Sequence, residues 1–305
     1  MNLAALTIGE AVPAEFDAVV HSVFRSAVNL RWDAGDGLLT LVTSDETDLP
    51  QGIRVDTPPD FSFETLHPAD PASCRDGFLH LASLKIDLRP ASRWTCNLPA
   101  LRTDLTDPKT TAAWRTVWQA LNARQIQTQA DLVAEEVLNA ARDSNLRRSS
   151  VSSIAASSLH SLTLAARRLD AAALPPPLIA LIGLGAGLTP SGDDLLAGFL
   201  AGLWCTALER KERLEFLSKL GQAVIALSSR TNDISRTYLL HAAHGKVSRR
   251  LLELAQVISR GENDERLLAA ADIAMQAGHT SGMDTVTGLL GGMNVWEASI
   301  LKTTH

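Results

Sequence analysis

Two periodicities divide the chain. Over residues 20–88 short apolar runs alternate with polar residues and turn formers: Gly35-Asp36-Gly37 precedes Leu38-Leu39-Thr40-Leu41-Val42-Thr43, and Gly77 precedes Phe78-Leu79-His80-Leu81. Runs of that length bounded by glycine and aspartate predict strands joined by tight turns. Pro58-Pro59 and the stretch His67-Pro68 to Pro71 predict loops, and Pro90 closes the segment Leu84 to Leu88, since proline lacks the amide that a strand ladder needs. A small β domain is the economical reading of this half.

From about Ala112 the apolar positions recur at steps of three and four: Trp114, Val117, Trp118 and Leu121, then Leu132, Val133, Val137 and Leu138. That is the period of a helix. The switch places a boundary near residues 100–111, giving a β-rich domain over 1–110 and a helical domain over 111–305. Residues 147–153 read as a polar break, followed by a helix carrying Leu159, Leu162 and Leu164 that should stop by Pro175-Pro176-Pro177. Further helices are expected over 193–208, 211–227, 234–244, 247–258, 265–275 and 283–301. The expected fold class is α+β, an N-terminal β-rich domain followed by a mainly α-helical one.

Composition narrows the classes. With 305 residues, 46% hydrophobic and 20% charged, the chain is globular and long enough for two cores. A net charge of −6 and a pI near 5.8 supply no broad positive field, so nucleic acid and anionic membrane surfaces are not expected partners. Cys74, Cys96 and Cys205 are odd in number and lack metal-type spacing; they are expected to be ordinary buried thiols in a reducing compartment. Residues 1–20 carry Glu10, Glu15 and Asp17 in place of a basic, then apolar, secretory signal. No stretch reaches the roughly 20 apolar residues of a membrane span. A soluble, cytoplasmic protein is expected.

The candidate chemistry lies in Gly183-Leu184-Gly185-Ala186-Gly187-Leu188-Thr189-Pro190-Ser191-Gly192-Asp193-Asp194, which leads directly into an apolar helical pattern. Glycines let backbone amides approach a bound anion, and a helix start adds the positive end of its dipole. Gly185, Gly187, Thr189, Ser191 and Gly192 are the anion-binding candidates. With no lysine after the last glycine this is not a Walker A loop, and the spacing is not a dinucleotide fingerprint. Ser191 with Asp194 three residues on reads as a capping box. Asp193 and Asp194 together are the residues a Mg²⁺ ion would take under an alternative reading.

A second segment, Gly278-His279-Thr280-Ser281-Gly282-Met283-Asp284, aligns with the first at a constant offset of 90 residues: Ser191-Gly192 with Ser281-Gly282, Asp194 with Asp284, Gly198 with Gly288, Leu200 with Leu290, Gly202 with Gly292. Glycines four apart on one helix face let another helix come close. The two helices are therefore expected to pack together, their N-termini converging on one anion site that includes Thr280, Ser281 and Gly282. Between them, Arg230 to His241 brings Arg230 and Arg236 as cations for a carboxylate or phosphate. In the same stretch Ser235, Tyr238 and His241 form a hydrogen-bonding face rather than a triad. His279, on a glycine-flanked loop, is the acid or base candidate.

The segments GLGAGLTPSGDD, RTNDISRTYLLHAA and AGHTSGMDTVTGLLGG together resemble the AllH-type subunit family of oxamate carbamoyltransferase. The resemblance is specific over residues 180–292; in the first half, FRSAVNL and DGLLTL are similar in character. Where the family commonly has Gly-Pro-Gly-Leu-Thr-Pro-Ser, this chain has Ala186 between Gly185 and Gly187, with the spacing kept. The resemblance implies carbamoyl transfer between carbamoyl phosphate and oxamate, giving oxalurate, within ureide or allantoin breakdown, alongside partner subunits. Both substrates are small anions. Thr189, Ser191, Thr280 and Ser281 would be hydrogen-bond donors, Arg230 a carboxylate partner and His279 a proton acceptor. No cofactor is expected on this reading. Two others compete: a Mg²⁺-dependent phosphoryl transferase using Asp193 and Asp194, and a noncatalytic assembly subunit that docks partners through its glycine-faced helices.

Overall fold

The computed structural model describes residues 1–32, 36–128, 132–138 and 150–296 and contains two compact units, Met1–Cys96 and Asn97–His305. The first holds strands β1 (Asn2–Gly9), β2 (Phe16–Val23), β3 (Ala27–Trp32), β4 (Leu38–Val42), β5 (Gly52–Asp56), β6 (Pro71–Arg75), β7 (Phe78–Leu81), β8 (Leu84–Asp87) and β9 (Ser92–Trp94). Their order is β5-β4-β3-β2-β6-β7-β8-β1, and β1 returns to β5, antiparallel from Ala4 opposite Asp56 to Ile8 opposite Ile53. The sheet closes into a β-barrel. The other edge of β1 runs parallel to β8 through residues 2–4 and to β9 through residues 7–9. Closure leaves no long strand edge unpaired.

The segments 38–43, 78–81 and 84–88, read as strands from their pattern, are β4, β7 and β8. The sheet starts earlier than the expected residue 20, because β1 and most of β2 precede it. Asn2 and the alanines at 4 and 5 are weak strand formers, so β1 is a strand through its pairing with three distant segments. The barrel interior is built from the inward positions of each strand, with Val28, Leu30, Leu41, Ile53, Leu79 and Ile86 all fully buried. Each such side chain contributes roughly 1.5–3 kcal/mol relative to exposure. The buried Asp48 accepts from Thr7 of β1 and, at 2.9 Å, from Arg54 Nε of β5, which ties the closing strands together.

The second unit is helical: α1 (Pro108–Gln127), α2 (Ala134–Leu138), α3 (Ser150–Arg168), α4 (Pro175–Leu181), α5 (Ser191–Cys205), α6 (Lys211–Leu227), α7 (Asp233–Ala242), α8 (Arg249–Ser259), α9 (Asp264–Met275) and α10 (Ser281–Met293). Asp107 caps α1 by accepting from the Lys109 amide, with Pro108 at the first position. Pro175-Pro176-Pro177 does more than end a helix. α3 stops at Arg168, and the prolines open α4, where a missing amide loses no helical bond. Residues 147–149 of the expected break and 297–301 of the expected last helix lie outside the described residues. Within them α10 ends at Met293, as the amides of Asn294 and Val295 turn back to the carbonyls of Gly291 and Gly292.

At the centre of this unit α5 and α10 are buried on nearly every face, the mark of an interior helix with no polar side. Arg167 and the Trp114 indole satisfy carbonyls at the end of α10: Nε of Arg167 donates to Val295 O at 2.8 Å and Nε1 of Trp114 to Leu290 O at 3.1 Å. All three cysteines are unbridged and buried. Among the described residues no helix is long and apolar enough to cross a membrane.

Candidate functional site

The glycines of α5 and α10 interlock. A Cβ on Gly198 would run into the carbonyl of Thr285, and one on Gly202 into that of Leu289; reciprocally, Gly288 faces the Leu195 carbonyl and Gly292 that of Phe199. Positions early in one helix face positions early in the other, so the two run parallel. Backbone lies directly on backbone, an approach that any side chain would prevent. Parallel packing brings both N-termini to the same end. The contact there is made by the loops: Thr189 Oγ1 and Ser281 Oγ are 2.5 Å apart.

Each N-terminus is held by the same device. Gly192, at the start of α5, lies against the Leu181 carbonyl that ends α4 and donates its amide to Leu184 O at 2.8 Å. Gly282, at the start of α10, lies against the Ala274 and Met275 carbonyls at the end of α9 and donates to Ala277 O at 2.9 Å. The internal echo is thus a repeat of helix, glycine turn and helix. In the first loop Gly183, Gly185 and Gly187 have φ of 82°, 107° and 103°, a region open to glycine and strained for other residues. Residues 185–188 are exposed. Among the described residues none of the amides of residues 185–189 donates to another backbone group, nor do those of residues 278–281. Two runs of open amides therefore sit at two adjacent positive helix ends, an arrangement that attracts an anion.

The expected capping box is not formed. The N-cap of α5 is Pro190, with no side-chain cap bond, and Ser191 is already the first helical residue. The carboxylates that follow it serve other partners. Asp193, 2% exposed, accepts from the Gly183 amide at 2.8 Å and from Thr231 Oγ1 at 2.5 Å, so it ties the base of the glycine loop to the entry of α7. Burial raises this carboxyl above its ordinary range, and the bonds from Thr231 and Gly183 hold back part of the rise.

Asp194 turns to the second loop, near the hydroxyls of Ser281 and Thr189. Its Oδ2 is closed off from solvent and has no hydrogen-bond partner among the described residues. Burial pushes Asp194 well above the usual carboxylate range, and the charges of Asp284 and Asp193 act in the same direction; the neighbouring Ser281 and Thr189 hydroxyls offset only part of this. Asp284 occupies the equivalent position in α10 and is 1% exposed. The adjacent carboxylates Asp193 and Asp194 thus have different neighbours, Gly183 and Thr231 for the first and the second loop for the other. Among the described residues no three His, Cys, Asp or Glu side chains are grouped as a metal ion requires.

The structure gathers most of the residues singled out by pattern. Thr189, Ser191, Gly185, Gly187 and Gly192 lie on the first loop and helix start, Thr280, Ser281 and Gly282 on the second. His279 is exposed, just before the Thr280 N-cap of α10. Arg230 lies at the edge of the first loop, its carbonyl against Gly183 and its side chain exposed. Ser235 is buried beside Asp193 on α7. Pattern missed the two residues that fasten α7 to the loop, Thr231 and Asn232. Asn232 caps α7, accepting from Ile234 and Ser235, while its amide donates to Leu188 O at 2.9 Å. An asparagine directly before an apolar helical run is a legible cap signal; the bond to Leu188 was not legible. The glycine faces of α5 and α10 are occupied by each other, which leaves them unavailable for docking a partner.

No solved structure matches the chain. Two family models do: oxamate carbamoyltransferase subunit AllH over residues 181–293, and the AllH family N-terminal domain over residues 4–93. The first spans both glycine loops and everything between them, and the second spans the barrel strands. With barrel and paired-helix site both accounted for, the chain belongs to the AllH family of oxamate carbamoyltransferase subunits.

Proposed function

We propose that this chain is a subunit of a carbamoyltransferase that moves a carbamoyl group between carbamoyl phosphate and oxamate, forming oxalurate, in ureide (allantoin) degradation, and that it works with partner subunits of the same enzyme. The observation that carries this reading is the convergence of two parallel helix N-termini, each preceded by a loop of open amides, with Thr189 and Ser281 in contact between them. Such a site suits a phosphate or carboxylate, and both substrates bear one. The reaction needs no covalent intermediate: the oxamate nitrogen attacks the carbamoyl carbon, the C–N bond forms, and the C–O bond to phosphate breaks. Charge gathers on the leaving phosphate, where preorganised amides and hydroxyls stabilise it. Arg230, exposed at the rim, is placed to meet a carboxylate.

The test is to assemble the chain with the other subunits of the enzyme, supply oxalurate and inorganic phosphate, and follow carbamoyl phosphate by ³¹P NMR. Product that depends on the presence of this chain is the expected result. No product, or the same rate when the chain is left out, overturns the reading.

A further inference from the structure

We propose that Thr231 and Asn232 are the positioning residues of the anion site: with Asp193 they hold the first glycine loop at its base and at its tip, so that its open amides are ordered before the phosphate of carbamoyl phosphate arrives. This role rests on the carbamoyl-transfer reading above. The bonds are direct. At the base, the Gly183 amide donates to Asp193 Oδ1 at 2.8 Å and the Thr231 hydroxyl to Asp193 Oδ2 at 2.5 Å. The Arg230 carbonyl closes the same corner, 3.0 Å from where a Cβ on Gly183 would lie. At the tip, Nδ2 of Asn232 donates to Leu188 O at 2.9 Å, while its Oδ1 accepts from the amides of Ile234 and Ser235 at 3.1 and 3.0 Å.

The loop needs such ties because little of its own chain restrains it. Residues 185–188 are exposed, Leu188 to 60%, and a Cβ on Gly187 would touch nothing within 4 Å. Gly183, Gly185 and Gly187 add the backbone freedom of glycine. The second loop is shorter, residues 276–280 between α9 and α10 against 182–190 between α4 and α5, and its one glycine, Gly278, has φ of 60°. A shorter connection leaves less freedom to remove.

Both ties come from one dipeptide, between the short 3₁₀ turn Ser228–Arg230 and α7. α7 packs on α5, so the loop is held against the helix it leads into. A loop ordered in advance takes no ordering cost out of the binding energy of its anion. Once loosened, it must be ordered by the anion itself, and the loss appears in binding. With phosphate in place its oxygens hold the amides, and the chemical step keeps its rate. Thr231 and Asn232 do not touch the substrate in this scheme; they act through the loop.

The experiment measures kcat and the KM of each substrate for oxalurate formation from carbamoyl phosphate and oxamate in the assembled enzyme. Thr231→Val keeps the shape and removes the donor to Asp193. Its KM for carbamoyl phosphate should rise about tenfold, the scale of one hydrogen bond to a charged group, with kcat within about threefold and KM for oxamate within about twofold of wild type. Thr231→Ser, which restores the hydroxyl, should bring the raised KM back to within about threefold of wild type. Asn232→Ser keeps a capping residue at the start of α7 but is too short to reach Leu188, and should raise the same KM about three- to tenfold. A T231V enzyme whose KM for carbamoyl phosphate stays within about twofold of wild type, or whose two KM values rise together, overturns the role. Where T231V fails to assemble, N232S decides in its place: a rise confined to carbamoyl phosphate supports the role, and an unchanged KM or a rise in both overturns it. If the wild-type complex forms no oxalurate, the carbamoyl-transfer reading falls and this role with it; an active wild type beside an unaltered T231V removes the role alone.

Discussion

Two neighbouring glycines of α10 should respond in opposite ways to the same substitution. At Gly291 an added Cβ would meet the ends of the Leu138 and Leu159 side chains, Cδ2 atoms at 2.9 and 3.5 Å. Those methyl groups can rotate away. At Gly292 the same Cβ would overlap the Phe199 carbonyl oxygen, with the carbonyl carbon at 3.0 Å and Gly202 Cα at 3.1 Å. That obstacle is the backbone of α5, which moves only if the helices part. In a helix interior Gly→Ala gains roughly 0.5–1 kcal/mol from backbone entropy and propensity, so Gly291→Ala should leave stability within about 1 kcal/mol of wild type. For Gly292→Ala the overpacking term dominates, and it should reach the upper end of its range, about 3 kcal/mol. In a unit of this size that lowers Tm by about 6–12 °C. Ellipticity at 222 nm follows the helical unit, which contains all ten α-helices among the described residues. Equal melting of the two variants, or a Gly292→Ala no less stable than Gly291→Ala, would refute the backbone contact between α5 and α10.

Other outcomes follow from the same geometry. Trp114→Phe keeps most of the buried ring but leaves the Leu290 carbonyl without its indole donor, and should cost about 1–3 kcal/mol by denaturant titration; a loss below about 0.5 kcal/mol would mean that another donor serves that carbonyl. Asp194 titrates near pH 4 in an unfolded chain and higher when folded, so between those values the folded chain binds the extra proton. Its stabilising effect is complete below the unfolded value and is lost as pH rises through the folded one. Asp194→Asn should therefore flatten the fall in stability from about pH 4 toward neutrality, and parallel curves for variant and wild type would count against the raised carboxyl.

Local signals made much of the helical unit legible. The bounds 211–227 expected from periodicity are those of α6, and the spacing of Gly198, Gly202, Gly288 and Gly292 foretold the contact that orders the site. Errors arose where a distant partner decides the outcome. β1 was unreadable because its alanines become a strand only by pairing with β5, β8 and β9. The capping box at Ser191 was a sound local reading that lost to tertiary structure: Asp193 is drawn to Gly183 and Thr231, and Asp194 to Ser281 on the other repeat. The repeat itself was visible, and so was the convergence of the two helix starts; that Asp194 and Asp284 would be buried neighbours was not, since two similar sequences do not reveal which side chains will face each other.

The central claim is that the paired loops are where the reaction takes place. It is tested most directly by the rate of carbamoyl transfer in the assembled enzyme carrying Thr189→Val with Ser281→Ala, its helical content and subunit association checked against wild type. The account predicts a fall of at least about 10²-fold, the scale of losing hydrogen-bond donors at a developing charge. Turnover within a few-fold of wild type in a correctly assembled complex would contradict it and place the chemistry on another subunit.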